Sequence, residues 1–321
     1  MNRLQEEIDA INFADADELS ITVGAGFRTF LKILIPILPL ALICAAIPSA
    51  IIAALPIDEF ATNFYAHMTH ITEEMRQLKA ATMAMRIEQL IVSPFSMLVY
   101  ITATVSAVRA LAKNQQGCLA DFRTAMGRLL PLIGTYLLLL VILIGIILAF
   151  VLVMVIAGTA LGSFLGPQAK EVSALLSIPI VVGVAVVAIW FAIRLVFFSH
   201  SVVVGASAGT AAIKETMALV KGRWWATLGT LIVIGLIGAL LSIPSFVAGI
   251  LEGGISSVSA SYFVRAFAGT ITTTLGFAGA LFGISAMTVL YLMRRKSTLG
   301  PGCAGYGAQE DEYGSGRGYA E

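Results

Sequence analysis

His67, His70 and Glu74 stand at i, i+3 and i+7. On a helix that spacing brings all three to one face. Imidazole nitrogens with a carboxylate can ligate zinc or copper, and the thioethers of Met68, Met75, Met83 and Met85 lie close by as softer donors. The plainer alternative is a polar helix facing water, and it is preferred, because three ligands on a helix of unfixed register make a thin motif. No metal is assigned. His200 between Ser199 and Ser201 could pair a base with a hydroxyl nucleophile, yet no acid lies close in sequence to orient the imidazole. A histidine at a helix end is the simpler expectation. The glycines at 24, 26, 205 and 209 match no phosphate loop, since neither group follows a strand pattern or carries the required Lys-Ser/Thr. No catalytic and no cofactor-binding residue is expected, and the chain is read as a non-enzyme without a cofactor.

The most structured local feature is Lys221-Gly222-Arg223-Trp224-Trp225. Cationic groups beside amphipathic rings suit the headgroup layer of a bilayer, where tryptophan gains from one apolar and one wet side. The bland expectation is an interface anchor. The sharper one is a lipid-headgroup pocket formed by Arg194, Lys214, Lys221, Arg223, Trp224 and Trp225.

The elements that must position these residues are apolar on a membrane scale. Stretches 30–54, 90–111, 130–156, 175–198, 226–250 and 267–292 each reach the roughly 20 residues that cross a hydrocarbon core. Hydrophobic residues make up 58% of the chain and charged residues 12%, about half the charge of a soluble domain. Runs such as 129–150 are continuously apolar, which excludes a barrel strand with its alternating faces. Backbone groups in lipid must find partners within their own segment, so each run is expected to be helical. The expected fold is all-α: a polytopic six-helix transmembrane bundle. Charges are nearly absent from the six runs away from their ends, which argues against a proton relay.

Charge sorts the connections. With the N-terminus inside, Arg3, Arg28, Lys32, Arg109, Lys113, Arg123, Arg128, Arg194, Lys214, Lys221, Arg223, Arg294, Arg295, Lys296 and Arg317 lie on one side. Only Arg76, Lys79, Arg86, Lys170 and Arg265 lie on the other. This bias places both termini in the cytoplasm. The acidic start (Glu6, Glu7, Asp9, Asp15, Asp17, Glu18) lacks the pattern of a cleavable signal, so the first run is expected to direct insertion. Cys44 falls in the first run and Cys118 and Cys303 on the reducing side, so no disulfide is expected.

The inner connections resemble one another. Modest amphipathic stretches at 17–29, 118–128 and 211–223 lead into runs one, three and five, as short interfacial helices would. Arg128 precedes Gly134-Thr135 by the spacing that separates Arg223 from Gly229-Thr230, which suggests a repeated helix hairpin. On the outer side, a helix is expected over 73–88. Gly276, Gly279 and Gly283, and Gly235 and Gly238, form small-residue faces suited to close helix packing. Residues 297–321 contain seven glycines and the cluster Glu310-Asp311-Glu312, the composition of a flexible tail. The expected organisation is a cytoplasmic segment 1–29, a six-span domain 30–296 and a tail 297–321.

The stretch 191–238, with Arg194 ending a run, the amphipathic 212–220, Lys221-Gly222-Arg223-Trp224-Trp225 and Leu228-Gly229-Thr230-Leu231, resembles the glycerophosphodiester phosphodiesterase membrane-domain family. That resemblance extends loosely over 19–296 and implies a bacterial six-span module without the hydrolase domain. His200, Ser201 and Gly205 occupy a region where the family has Pro and Glu, and Thr216 stands for its Ser, so no role of that Glu carries over. The expected function is a non-enzymatic protein of the bacterial cytoplasmic membrane, acting as a scaffold or lipid-contacting accessory subunit. Membrane lipids, a membrane-protein partner or a second copy are the expected partners, with no nucleic acid. The alternative is a permease for a lipid-like or neutral solute, with a polar path along Thr272, Thr273, Thr274 and Ser285.

Overall fold

The computed structural model describes residues 18–66, 72–114, 117–165, 169–256 and 262–299. Among these residues there are helices and no strand. In chain order they are α1 (Glu18–Ala54), α2 (Ile57–Ala66), α3 (Glu73–Leu111), α4 (Cys118–Leu165), α5 (Ala169–Arg194), α6 (Phe198–Val203), α7 (Thr210–Val220), α8 (Trp224–Leu241), α9 (Ile243–Ser256) and α10 (Tyr262–Leu299). Six of the helical stretches are long and apolar enough to cross a membrane. They fall in α1, α3, α4, the α5–α6 stretch, α8 and α10.

Residues divide into two compact units, Met1–Gly127 with Thr230–Lys296, and Arg128–Gly229 with Ser297–Glu321. In the first, α1 presents Phe30, Ile33, Ile37, Ala41 and Cys44 at helical spacing to one buried cluster. Val99, Ala103, Ala107 and Ala110 of α3 meet it, with Ile234 of α8 and Phe277, Leu281, Phe282 and Ala286 of α10. α10 is the most deeply buried of the six apolar helices. Gly26 explains how close α1 comes to it: a Cβ there would lie 2.8 Å from the Ala286 Cα. Missing side chains let backbones approach in this way. The Phe282 ring meets Phe30 edge-on at 6.2 Å.

A second small cluster joins Ile57 and Ala61 of α2 to Ala80 and Ala84 of α3. The helix expected over 73–88 is the first part of α3, which runs on unbroken to Leu111. At about 1.5 Å per residue its 39 residues span about 58 Å, well beyond a hydrocarbon core of about 30 Å.

The lead-in stretches differ from one another. Residues 18–29 and 118–128 are continuous with the apolar parts of α1 and α4, whereas 211–220 belongs to a separate α7. The backbone gives the reason. Gly222 adopts φ +77°, a left-handed conformation that ends α7 before α8 begins at Trp224. Gly127, at the matching place before Arg128, stays helical. The run read as 226–250 is likewise two helices, joined at Ser242 two residues before Pro244. Proline supplies no N–H and disfavours helical geometry in the residue before it. The Ser242 hydroxyl donates to the Gly238 carbonyl at 2.9 Å, and the Ser245 hydroxyl donates to the Thr272 carbonyl at 2.9 Å, tying the break to α10.

In the second unit, α7 packs on α6 and on α5. The Tyr136 ring meets Phe198 edge-on at 5.1 Å. From Leu140 to Val153 the α4 side chains are exposed, Val141, Leu148 and Val153 each by more than 60%.

Candidate functional site

Polar side chains gather where helices end, and three carboxylates organise them. Asp121 lies in the first turn of α4. Arg109, in the last turn of α3, donates through Nη1 to Asp121 Oδ1, and Ser106 donates to Oδ2. The second Arg109 amino group donates to the Thr124 hydroxyl at 3.1 Å. Arg109 and Asp121 are both buried. The turn of α3 is closed by Asn114 N–H donating to the Arg109 carbonyl at 2.9 Å, with Lys113 at φ 59°, the arrangement of a Schellman cap.

Glu18 opens α1, and Arg294 near the end of α10 donates through Nε to its Oε1 at 2.6 Å. Thr22, one turn on, donates to the Glu18 carbonyl at 2.6 Å. Arg294 is 1% exposed. In the second unit Glu215, in the middle of α7, accepts from two hydroxyls. Ser201 of α6 and Ser207 of the following loop each donate to Glu215 Oε2 at 2.6 Å. That loop turns through Ala206 at φ 58° and Gly209 at φ 58°, and Gly209 N–H donates to the Thr135 hydroxyl at 3.0 Å.

A related arrangement thus occurs three times: a carboxylate in a lead-in stretch, in the first helical turn for Glu18 and Asp121 and in mid-helix for Glu215, is held by residues near or just beyond the end of an apolar helix. Each carboxylate accepts charge-assisted or hydroxyl hydrogen bonds that fix its position. Such an arrangement ties helix ends together.

The residues expected to form a headgroup pocket are distributed along the second unit. Arg194 ends α5, half-buried, with its guanidinium carbon 4.0 Å from the centroid of the Trp190 ring. Lys214 is exposed on α7, and Lys221 and Arg223 are exposed in the turn after it. Arg223 donates to the Ser297 hydroxyl at 3.3 Å. Trp224 and Trp225 touch edge to face with centroids 4.5 Å apart, Trp224 half-buried and Trp225 78% exposed. The structure therefore brings the two tryptophans together, while Arg194 uses a third.

His67 and His70 lie outside the described residues; Glu74 is exposed on α3. Among the described residues no group of three or more His, Cys, Asp or Glu is placed to hold a metal. His200, on α6, is buried. The clamps escaped sequence reasoning although their signal is present. Arg109, Arg194 and Arg294 each close an apolar helix, and Glu18, Asp121 and Glu215 each fall in a lead-in stretch.

The chain belongs to the family described as Domain of unknown function (DUF8558), matched over residues 1–297. No curated protein and no solved structure matches it.

Proposed function

We propose that this member of a family of unknown function is a multi-pass protein of the bacterial cytoplasmic membrane, with both termini inside, that serves as a non-enzymatic scaffold or lipid-contacting accessory subunit. The observation that carries the proposal is how the polar groups are spent. Charges buried at the helix ends are matched to one another, as in Arg109 with Asp121 and Arg294 with Glu18. Hydroxyls within α10 turn back on their own helix: Thr274 donates to the Thr270 carbonyl, Ser285 to Leu281 and Thr288 to Ile284. A permease would keep such groups for a solute. A scaffold needs them to fix helix ends.

The resemblance of 191–238 to glycerophosphodiester phosphodiesterase membrane modules belongs to the same reading and supplies its bacterial setting. The exposed cations Lys214, Lys221 and Arg223 beside Trp225 support a lipid-facing inner surface. Solute flux through reconstituted vesicles separates scaffold from permease. The scaffold reading expects none above protein-free vesicles, together with a stable partner recovered by cross-linking in mild detergent. Flux abolished by Thr273→Val or Ser285→Ala overturns it.

A further inference from the structure

We propose that Arg194, stacked on Trp190, is a binding site for the phosphate group of an anionic membrane lipid. This rests on the lipid-contacting reading above and adds the residue and the ligand chemistry. Arg109 and Arg194 lie in the last turn of an apolar helix, and Arg294 lies near the end of another. Two of them are matched inside the chain: Arg109 to Asp121 and Arg294 to Glu18, with both arginines at most 8% exposed. Arg194 departs from this. It is half-buried, and among the described residues it forms no ion pair.

The third clamp's carboxylate is Glu215, in the middle of the α7 helix that packs against α5. Ser201 and Ser207 both donate to it at 2.6 Å, so hydroxyls stand where the other two clamps use a guanidinium. Arg194 is thus a third cation for which the described residues supply no counter-charge. Trp190, one turn back on α5, lies under the guanidinium carbon, 4.0 Å from its ring centroid. The N–H edge is left to the surroundings, in the fork geometry that takes a phosphate through two parallel hydrogen bonds. Lys214, exposed on the neighbouring α7, adds positive charge. A long side chain ending an apolar helix reaches the headgroup layer, where phosphodiesters are the abundant anions.

The test uses the full chain, delipidated in a neutral detergent and titrated with phosphatidylglycerol or phosphatidylcholine, with bound lipids counted by native mass spectrometry. Wild type is expected to retain phosphatidylglycerol over phosphatidylcholine. Arg194→Gln should lower that preference about five-fold, the worth of one basic residue at an anionic surface. Arg194→Lys should fall between, since it keeps charge without the planar fork. Trp190→Leu should weaken phosphatidylglycerol with Arg194 intact, and it carries the test if the glutamine variant fails to fold. Undiminished preference in both Arg194→Gln and Trp190→Leu overturns this site while leaving lipid contact elsewhere standing. Equal retention of the two lipids by wild type overturns the site, and retention of neither overturns the lipid-contacting reading with it. Displacement of the lipid by millimolar inorganic phosphate assigns the site to a soluble anion and overturns the lipid form of the proposal.

Discussion

Arg294 donates through Nε to Glu18 at 2.6 Å across 276 positions of sequence, so the last apolar helix is tied to the first turn of the first. The arginine is 1% exposed and the glutamate side chain 28%. About two helical turns away, the same two helices come into close approach, where Gly26 of α1 meets Ala286 of α10. Packing and charge therefore hold the same two helices together.

Arg294→Met is expected to lower stability by about 1–3 kcal/mol, less than a fully buried pair because Glu18 keeps some contact with solvent. Glu18→Gln should cost less, since an amide oxygen still accepts from Nε. Unfolding of both single variants and the double variant in detergent measures the coupling. A coupling of zero would show that the contact does not contribute.

Asp121 is the more exacting case, because Arg109 and Asp121 are both buried. Asp121→Asn leaves a buried guanidinium without its counter-charge, a loss of about 3–5 kcal/mol for a pair of this kind. Replacing both residues, as Arg109→Met with Asp121→Leu, should recover much of the loss. Monodispersity on gel filtration and unfolding temperature read both outcomes. A double variant as damaged as the single one would mean that the pair specifies the fold.

The glycines divide by what surrounds them. A Cβ at Gly279 would lie 2.6 Å from the Gly238 carbonyl oxygen and closer still to the Ser242 hydroxyl, and at Gly26 it would meet Ala286. Nothing lies within 4 Å of a Cβ at Gly134 or Gly229. Gly26→Ala and Gly279→Ala should therefore cost about 1–3 kcal/mol by overpacking. Gly134→Ala and Gly229→Ala should be neutral or add a few tenths to 1 kcal/mol. Ala286→Gly should relieve Gly26→Ala only in part, because the Ala286 Cα still lies 2.8 Å from the added Cβ. Thermal shifts across the five variants test the division, and equal losses at all four sites would contradict it.

The apolar helices were legible in the sequence because hydropathy is a local property that repeats over 20 residues. Breaks within them were less so. The stretch 226–250 reads as one apolar run, and only Pro244 marks the change from α8 to α9. Gly127 and Gly222 look alike before Arg128 and Arg223, yet only Gly222 takes a positive φ. Clamp partners were invisible for a different reason. Glu18 and Arg294 are far apart in sequence, and no periodicity connects them. Of the α10 face read as close-packing in the sequence, Gly279 and Gly276 meet Ser242 and Ser245, whereas a Cβ at Gly283 would have nothing within 4 Å.

Orientation has its own test. A fluorescent protein that matures only in the cytoplasm, fused after Glu321, should fluoresce, and alkaline phosphatase at the same place should be inactive. Fifteen of the twenty Lys and Arg residues lie on the side this arrangement puts inside. Active phosphatase at that position would reverse the orientation and place Arg194 at the outer leaflet.

The Glu215 clamp predicts an order of losses. Both serine hydroxyls donate to one oxygen, Oε2, so the carboxylate is the shared element and each serine a single donor. Ser207→Ala should cost about 1 kcal/mol, the usual net worth of one such bond. Ser201→Ala should cost somewhat more, because Ser201 is fully buried. Glu215→Gln keeps an oxygen in place and should be mild, whereas Glu215→Leu strands both hydroxyls beside a buried apolar group and should exceed either serine change. Since Gly209 N–H is held by Thr135, losing the clamp should also loosen the loop across 204–209. Hydrogen exchange at Gly209 and Thr210 should then rise in Glu215→Leu more than in Glu215→Gln. Identical exchange in the two variants would show that the loop is held by its own backbone and that the serines only decorate it.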